Sequence, residues 1–375
     1  MKNHHWIAAL LLGAAFAVCW GCTAAGCAIL GFDTGRITIM TYNLHNLFDD
    51  VVDGSEYSEF CPERGGWDTA SYHRRLEDFG RVIRGVRGTY GHGPDIVVLT
   101  EVENQRVVED LRSRVLGERR YPAALATAVP GNAIQIGLLS RFPVLDVRLH
   151  AVYPTDGRRI RPILEAVLQL PDTGDELHLF ACHWPSKIGG EAETEAYRLY
   201  SAGIIANRTA ELAVTNPNAL VMVVGDLNQT LPPDMDRCPP LQRMRDDGET
   251  VPARSMIAAC FKHSGLVDYT PERRPLYVTG NPRLAATNPL VFFTPWQMTD
   301  FPGSFVFRDE WERIDHFLLG NGLAGERYQP VAFWVESRDW MLTPSGYPRG
   351  YRPSQRTGLS DHLPIVLELR AVASR

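Results

Sequence analysis

Six short polar clusters in this chain each end or begin a run of apolar, β-prone residues: Asn43, Glu101, His183, Asp226 with Asn228, Asp315, and Asp361 with His362. Glu101 closes the continuously apolar run Ile96-Val-Val-Leu, and a carboxylate in such a place needs a cation or a donor beside it. Mg²⁺ is commonly held by one or two carboxylates, with waters and phosphate oxygens completing its octahedron. Glu101, Asn43 and Asp361 are therefore the candidate metal residues, and these oxygen donors suit Mn²⁺ as well. Asp226 can orient or deprotonate a water, and the Asn228 amide can steer that water or a phosphate. An Asp bonded to one imidazole nitrogen fixes the tautomer and favours the charged ring. His362 with an acid such as Asp315 could thus present its other N–H to a phosphorane-like charge. His183 and Lys187 are suited to the non-bridging oxygens of a phosphate, and Arg161 is a further candidate contact, in competition with Arg158 and Arg159.

Each cluster taken singly has a plainer reading. Asn43, and Asp226 with Asn228, are ordinary turn residues after a strand. Glu101 could cap a helix over Glu103 to Leu116, and His362 could be a satisfied structural imidazole. Trp184 is expected to pack in the core, and His316 to point away from its neighbour Asp315.

The elements that must position these residues follow from periodicity. Ile37 to Asn43, Ile96 to Glu101, Leu177 to His183 and Leu220 to Asp226 are candidate strands with the polar groups at their carboxyl ends. Asp315 and the Asp361-His362 pair lie at the amino ends of theirs. In a sheet with antiparallel strands one strand starts where its neighbour finishes, so all six clusters can meet at one edge. Ala70 to Val86 has Leu76, Phe79, Ile83 and Val86 at helical spacing, with arginines on the other face. Val107, Val108, Leu111 and Val115 repeat that pattern, and a third helix is expected over Glu191 to Leu212. Alternation of strand and helix argues an α/β layer fold. Leu231 to Pro252 and Pro271 to Pro302 lack periodicity and are expected to be long surface loops beside the site.

Composition narrows the class. With 45% apolar and 22% charged residues, a large core is available and the composition has no bias toward disorder. The formal net charge of −6 gives no support to a basic nucleic-acid-binding face, although Arg158 to Arg161 form a local basic stretch. Lys2 followed by the apolar run Ile7 to Val18 is read as a signal peptide over residues 1–27, too short to span a bilayer easily. Ala24-Ala25-Gly26-Cys27 resembles a bacterial lipobox, and Cys22 is a weaker alternative. Export from the bacterial cytoplasm is expected, as a membrane-anchored lipoprotein or a periplasmic or secreted protein. Cys238 and Cys260 could close a disulfide there, but Cys61 and Cys182 leave other pairings open. No linker divides the remaining chain, so residues 31–375 are read as one catalytic domain.

Thr41-Tyr-Asn43-Leu-His-Asn-Leu-Phe48, Leu99-Thr-Glu101-Val-Glu-Asn104, His183-Trp-Pro-Ser-Lys187, Gly225-Asp-Leu-Asn228, Arg313-Ile-Asp315-His and Ser360-Asp-His362-Leu-Pro364 occur in that order. Together they resemble the motifs of the endonuclease/exonuclease/phosphatase superfamily, across most of the chain. The resemblance implies a four-layer α/β sandwich, with two mixed β-sheets face to face and helices outside. It implies Mg²⁺-dependent hydrolysis of a phosphoester in a nucleic acid, an inositol phosphate or a phospholipid headgroup. By the same resemblance Asn43 and Glu101 bind metal, with Asp361 near it. His183 contacts phosphate, Asp226 and Asn228 activate water, and Asp315 supports His362. Two departures are visible: Cys182 stands where many relatives have Asn, and the tyrosine that some nucleases bring to the phosphate has no counterpart around Gly131 to Arg141. Gly137-Leu-Leu-Ser-Arg-Phe-Pro143 looks like the family's edge-strand motif. A sphingomyelinase-like phospholipid phosphodiesterase, using aromatic loops such as Phe292 to Trp296, and an inactive surface binding protein are the alternatives.

Overall fold

A computed structural model describes residues 35–372, apart from 65, 89–90, 155, 172 and 232–275. The expected signal peptide with Cys22 and Cys27, and the Cys238–Cys260 pairing, fall outside the described residues. The strands of the first half are β1 (Arg36–Leu47), β2 (Arg87–Gly88), β3 (Gly91–His92), β4 (Ile96–Val102), β5 (Ala123–Ala126), β6 (Gln135–Ser140), β7 (Val144–Val152), β8 (Ile160–Gln169) and β9 (Glu176–His183). Those of the second half are β10 (Leu220–Asp226), β11 (Tyr277–Thr279), β12 (Val291–Phe293), β13 (Phe305–Phe307), β14 (Glu310–Glu312), β15 (Asp315–Leu319), β16 (Tyr328–Val335) and β17 (Ile365–Ala371). The α-helices are α1 (Thr69–Gly85), α2 (Gln105–Asp110), α3 (Glu191–Thr215) and α4 (Pro282–Ala286).

Two mixed sheets carry the molecule. The first has the order β16-β17-β1-β4-β6-β5 and the second β11-β12-β15-β10-β9-β8-β7. β1 runs parallel to β4 and antiparallel to β17. β10 runs parallel to β9 and antiparallel to β15. Side chains alternate across a strand, so each strand serves two layers. Leu220, Met222 and Val224 join the core between the sheets, whereas Val221 and Val223 join a second cluster with Tyr200, Ala202, Ile205 and Leu212 of α3. On the opposite side Tyr42 of β1 meets Phe79 of α1 edge-on, ring centroids 5.5 Å apart. This is the four-layer α/β sandwich.

Local chemistry sets the helix ends. The Asp68 carboxylate accepts from Ser71 N–H at 2.8 Å and starts α1. Asn104, with its side-chain carbonyl 3.1 Å from Val107 N, caps α2. Glu101 is therefore free of the capping role that its position also allowed. The helix expected to continue through Val115 instead becomes a π-helical turn over Leu111–Leu116. Val115 there packs on Gly80 of α1, where even an added Cβ would lie 2.1 Å from Val115 Cγ1.

Four further expectations are corrected. The polar clusters do not share one sheet edge: Asn43 and Glu101 come from the first sheet's strands and the Asp361-His362 pair from the loop that enters β17 of that sheet, whereas His183, Asp226 and Asp315 come from the second. The segment expected as a loop to Pro302 supplies β11, α4 and β12, because Phe292, Phe293 and Trp296 are core residues with 3% exposure or less. Those aromatics offer nothing to a membrane. The Gly137 to Pro143 segment is not an edge, since β6 pairs with both β4 and β5. Finally, Arg75 does not share the solvent face of α1 with the other arginines. It is buried, and donates to the carbonyls of Leu44, His45, Asn46 and Leu359 at 2.6–3.1 Å.

Candidate active site

The two sheets end together, and their polar termini face one another. Asn43 sits on the inner face of β1, and its Nδ2 donates to Glu101 Oε1 and to Asp226 Oδ2, each at 3.1 Å. Its Oδ1 accepts from His45 N–H at 2.9 Å. Ser360 fastens this strand end by donating to the Asn43 carbonyl at 2.7 Å. Glu101 adopts a left-handed backbone, φ 60°, and its Oε2 accepts from Asn46 N–H at 2.9 Å. A non-glycine residue holds that conformation at a cost of about 1–3 kcal/mol, so the surrounding contacts must impose it.

His183 is buried, with Nε2 3.6 Å from Glu101 Oε1 and 3.8 Å from Asp226 Oδ2. Burial, then the charges of Arg161 and His362, hold its imidazole well below the ordinary range, so the ring is neutral. Its Nδ1 is buried without a hydrogen-bond partner. Arg161 holds the backbone beside it, donating to the carbonyls of His183 and Trp184 at 2.9 Å.

Asp226 ends β10 where Gly225 permits a close approach to β9. The backbone there has φ 127°, and an added Cβ would lie 2.1 Å from the Cys182 carbonyl oxygen. The Asp226 Oδ1 accepts from Asn228 N–H at 2.8 Å, and the Asn228 amide donates to the Trp184 carbonyl at 3.0 Å. Burial pushes the Asp226 carboxyl up to about 7; Asp315 acts in the same direction and His362 against it.

His362 faces Asp226 from the other side, Nε2 3.9 Å from Asp226 Oδ2. Its Nδ1–H donates to Asp315 Oδ2 at 2.8 Å, and Ser304 Oγ donates to the same oxygen at 2.6 Å. Burial works to discharge this imidazole, but the Asp315 charge and hydrogen bond and the Asp226 charge outweigh it and lift it to about 10. The ring lies against Phe305, centroids 4.7 Å apart. Asp226, Asp315 and His362 each bring a potential ligand atom within 4.8 Å of the others, an acidic/histidine cluster of the residue types that hold a divalent cation when the imidazole is neutral.

Asn43, Glu101, His183, Asp226, Asp315 and His362 are thus brought together, with Asn228 and Arg161 one step behind. Asp361, whose side chain is 40% exposed, lies 3.5 Å from His45 Nδ1 at the margin. Lys187 pairs with Glu312 at 3.2 Å and with Glu191 at 3.8 Å rather than with a carboxylate of the cluster. His316 is fully buried and its Nε2–H donates to the Gln229 carbonyl at 2.7 Å. Trp184 is buried in the cluster beneath α3. A cleft of about 1030 Å³ begins at His45 and is lined by Asp339, Arg349, Tyr351, Arg352 and Thr357 among others.

Sequence reasoning missed Ser304, Ser360, His45, Phe305 and Arg75. Ser360 and His45 lie inside two of the quoted motifs and were within reach. Ser304, Phe305 and the burial of Arg75 carry no local signal.

The model of the Endonuclease/Exonuclease/phosphatase family matches residues 38–261, which hold Asn43, Glu101, His183, Asp226 and Asn228. Among solved structures, an endonuclease/exonuclease/phosphatase family protein from Bacteroides thetaiotaomicron is similar in fold, at 15% identity and a TM-score of 0.50, over 90% of this chain and 99% of that one. TDP2 from C. elegans matches at 17% identity and 0.46, over 96% and 83% of the two chains. The human Nocturnin catalytic domain matches at 12% and 0.48, over 90% and 94%. No curated protein sequence matches the chain.

Proposed function

Because this chain belongs to the endonuclease/exonuclease/phosphatase family, we propose that it hydrolyses a phosphoester with the help of a divalent cation, Mg²⁺ or Mn²⁺. One observation carries the reading. The Asp226 Oδ2 receives the Asn43 amide at 3.1 Å and lies between the imidazoles of His183 at 3.8 Å and His362 at 3.9 Å. A buried carboxylate ringed by polar nitrogens from both sheets suits activation of a water beside a phosphate.

Glu101, Asn43 and Asp361 would hold the cation. The carboxylate and amide oxygens of this set suit a hard dication, and the neighbouring carboxylates of Asp226 and Asp315, the latter with Oδ1 buried and without a partner, add negative charge that the charged His362 alone does not balance. When bound, the cation polarises the phosphoryl oxygens and offsets the carboxylate charge. His362 is poorly suited to be a ligand, since metal binding needs a neutral imidazole and Asp315 keeps this one charged. Its Nε2–H instead donates to a phosphoryl oxygen as negative charge builds there. His183 offers its Nε2–H to a second oxygen. Asp226 takes the proton of the attacking water, and Asn228 steers that water. Arg161, held beside His183, is the outer phosphate contact, and Lys187 joins it only on leaving Glu312. We also infer export, with Cys27 acylated at the membrane; incorporation of labelled palmitate that disappears in Cys27→Ser tests this, and label retained in the variant would overturn it.

The experiment is Mg²⁺-dependent turnover by the purified protein on supercoiled DNA, RNA, sphingomyelin and inositol phosphates, with Glu101→Ala as control. Cleavage of one class that vanishes in the variant supports the reading and names the substrate. Silence on all four from a folded protein that also fails to bind Mg²⁺ would favour a binding protein that has kept the fold.

A further inference from the structure

We propose that Asp53, Glu56 and Glu103 form a second cation site, of the oxygen-rich Ca²⁺ type, which pins the segment after β1 to the end of β4. Glu103 is the observation that carries it. The side chain is 3% exposed and its Oε2 accepts from Asp49 N–H at 2.6 Å, yet its Oε1 is buried with no hydrogen-bond partner. A buried carboxylate oxygen left without donor or cation is costly, and native structures rarely keep one uncompensated. Two further carboxylates, Asp53 and Glu56, come from the segment after β1, and each of the three residues offers one oxygen within 4.8 Å of the others.

No ion pair is formed by these three acids among the described residues. The nearby guanidinium, Arg106, is committed to Asp49 at 3.1 Å, Asp50 at 2.7 Å and Asp110 at 3.8 Å. The negative charge of Asp49 and Asp50 is therefore offset by a cation, whereas Asp53 and Glu56 meet only backbone donors, Ser55 N–H at 2.9 Å for Asp53 and the Asp53 and Gly54 N–H groups for Glu56. Burial pushes the Glu103 carboxyl up to about 8, and a cation beside it would restore its charge. Ca²⁺ binds six to eight oxygens at roughly 2.3–2.6 Å, so the oxygens around one ion lie within about 5 Å of each other. The spacing of the three carboxylates meets that limit, and water or carbonyl oxygens can complete a shell that Mg²⁺ would require to be octahedral.

The site is separate from the catalytic cluster. Glu101 turns to Asn43, Asn46 and His183, whereas Glu103 turns to Asp49, and its own N–H donates to the Leu47 carbonyl at 3.1 Å. A cation here would tie the rim of the site to the strand that presents Glu101.

Calorimetric titration of the full chain with Ca²⁺, alongside thermal melting in Mg²⁺-free buffer, tests the proposal. Wild-type protein should bind one more Ca²⁺ than the Asp53→Asn/Glu56→Gln variant. Its Tm should rise by about 5 °C more at saturating Ca²⁺ than that of the variant. Both substitutions lie on the accessible loop, and circular dichroism without Ca²⁺ verifies that the variant is folded. Glu101→Ala should keep the Ca²⁺ response. An equal response in the double variant, or its loss in Glu101→Ala alone, would overturn the site. A wild type indifferent to Ca²⁺ would overturn it as well, and Glu103→Gln as stable as the wild type would then mean that Glu103 carries a proton.

Discussion

Asn43 and Asp226, 183 positions apart, are joined by a hydrogen bond of 3.1 Å that crosses from one sheet to the other. The same amide group also donates to Glu101, so one side chain sets the distance between two carboxylates on different sheets. Removing it should separate them. We expect Asn43→Ala to lower kcat/KM on the order of 10²-fold or more, in line with the loss of a preorganised polar group. Steady-state kinetics against the most active substrate class checks this, and an unchanged kcat/KM would show that the bridge is not needed.

Asp315 supports the charged form of His362. In Asp315→Asn the imidazole loses both the neighbouring charge and its acceptor, so its titration should move down from about 10. We expect kcat to fall on the order of 10³-fold with KM little changed, and a ¹H–¹⁵N imidazole titration to report the shift directly. Ser304→Ala, which removes a single hydrogen bond to the same carboxylate, should cost less, about 1.5–3 kcal/mol of stability at most.

Gly225→Ala should be among the most damaging single changes outside the polar cluster. The new Cβ would meet the Cys182 carbonyl oxygen at 2.1 Å, in a backbone conformation with φ 127° that L-residues rarely adopt. A loss of about 4 kcal/mol or more is expected, read as a drop in Tm together with loss of soluble yield. A variant that melts with the wild type would contradict the close packing of β9 on β10.

Stability should depend on pH through His316. Burial lowers its imidazole to about 4, against which the bond to the Gln229 carbonyl acts only in part. The unfolded chain has the ordinary value near 6.5 and so binds a proton first as pH falls. The contribution is fully present above pH 6.5, declines down to about pH 4, and amounts to about 3 kcal/mol. Urea melts of wild type and His316→Gln across that window should diverge, with the shallower slope in the variant. Parallel slopes would mean that the ring is not held neutral.

The sequence by itself determined the strands that carry the site and the residue types at their ends. β10 was expected over Leu220 to Asp226 and is found there, because a continuous apolar run stopped by Gly-Asp-Leu-Asn records burial and turn chemistry within a few residues. The caps Asp68 and Asn104 are equally local, bonding residues three positions away, although Glu101 rather than Asn104 was the cap that the sequence suggested for the second helix. Only the tertiary structure decided that the polar ends belong to two sheets rather than one, that Ser304 backs Asp315, and that Arg75 lies under Leu44, His45 and Asn46. It also turned Phe292, Phe293 and Trp296 from a candidate membrane loop into core. Alternation along one strand is a local imprint of burial, legible to a reader of the chain. Which strands stack face to face depends on burial shared between residues hundreds of positions apart, and no short window of sequence contains both partners.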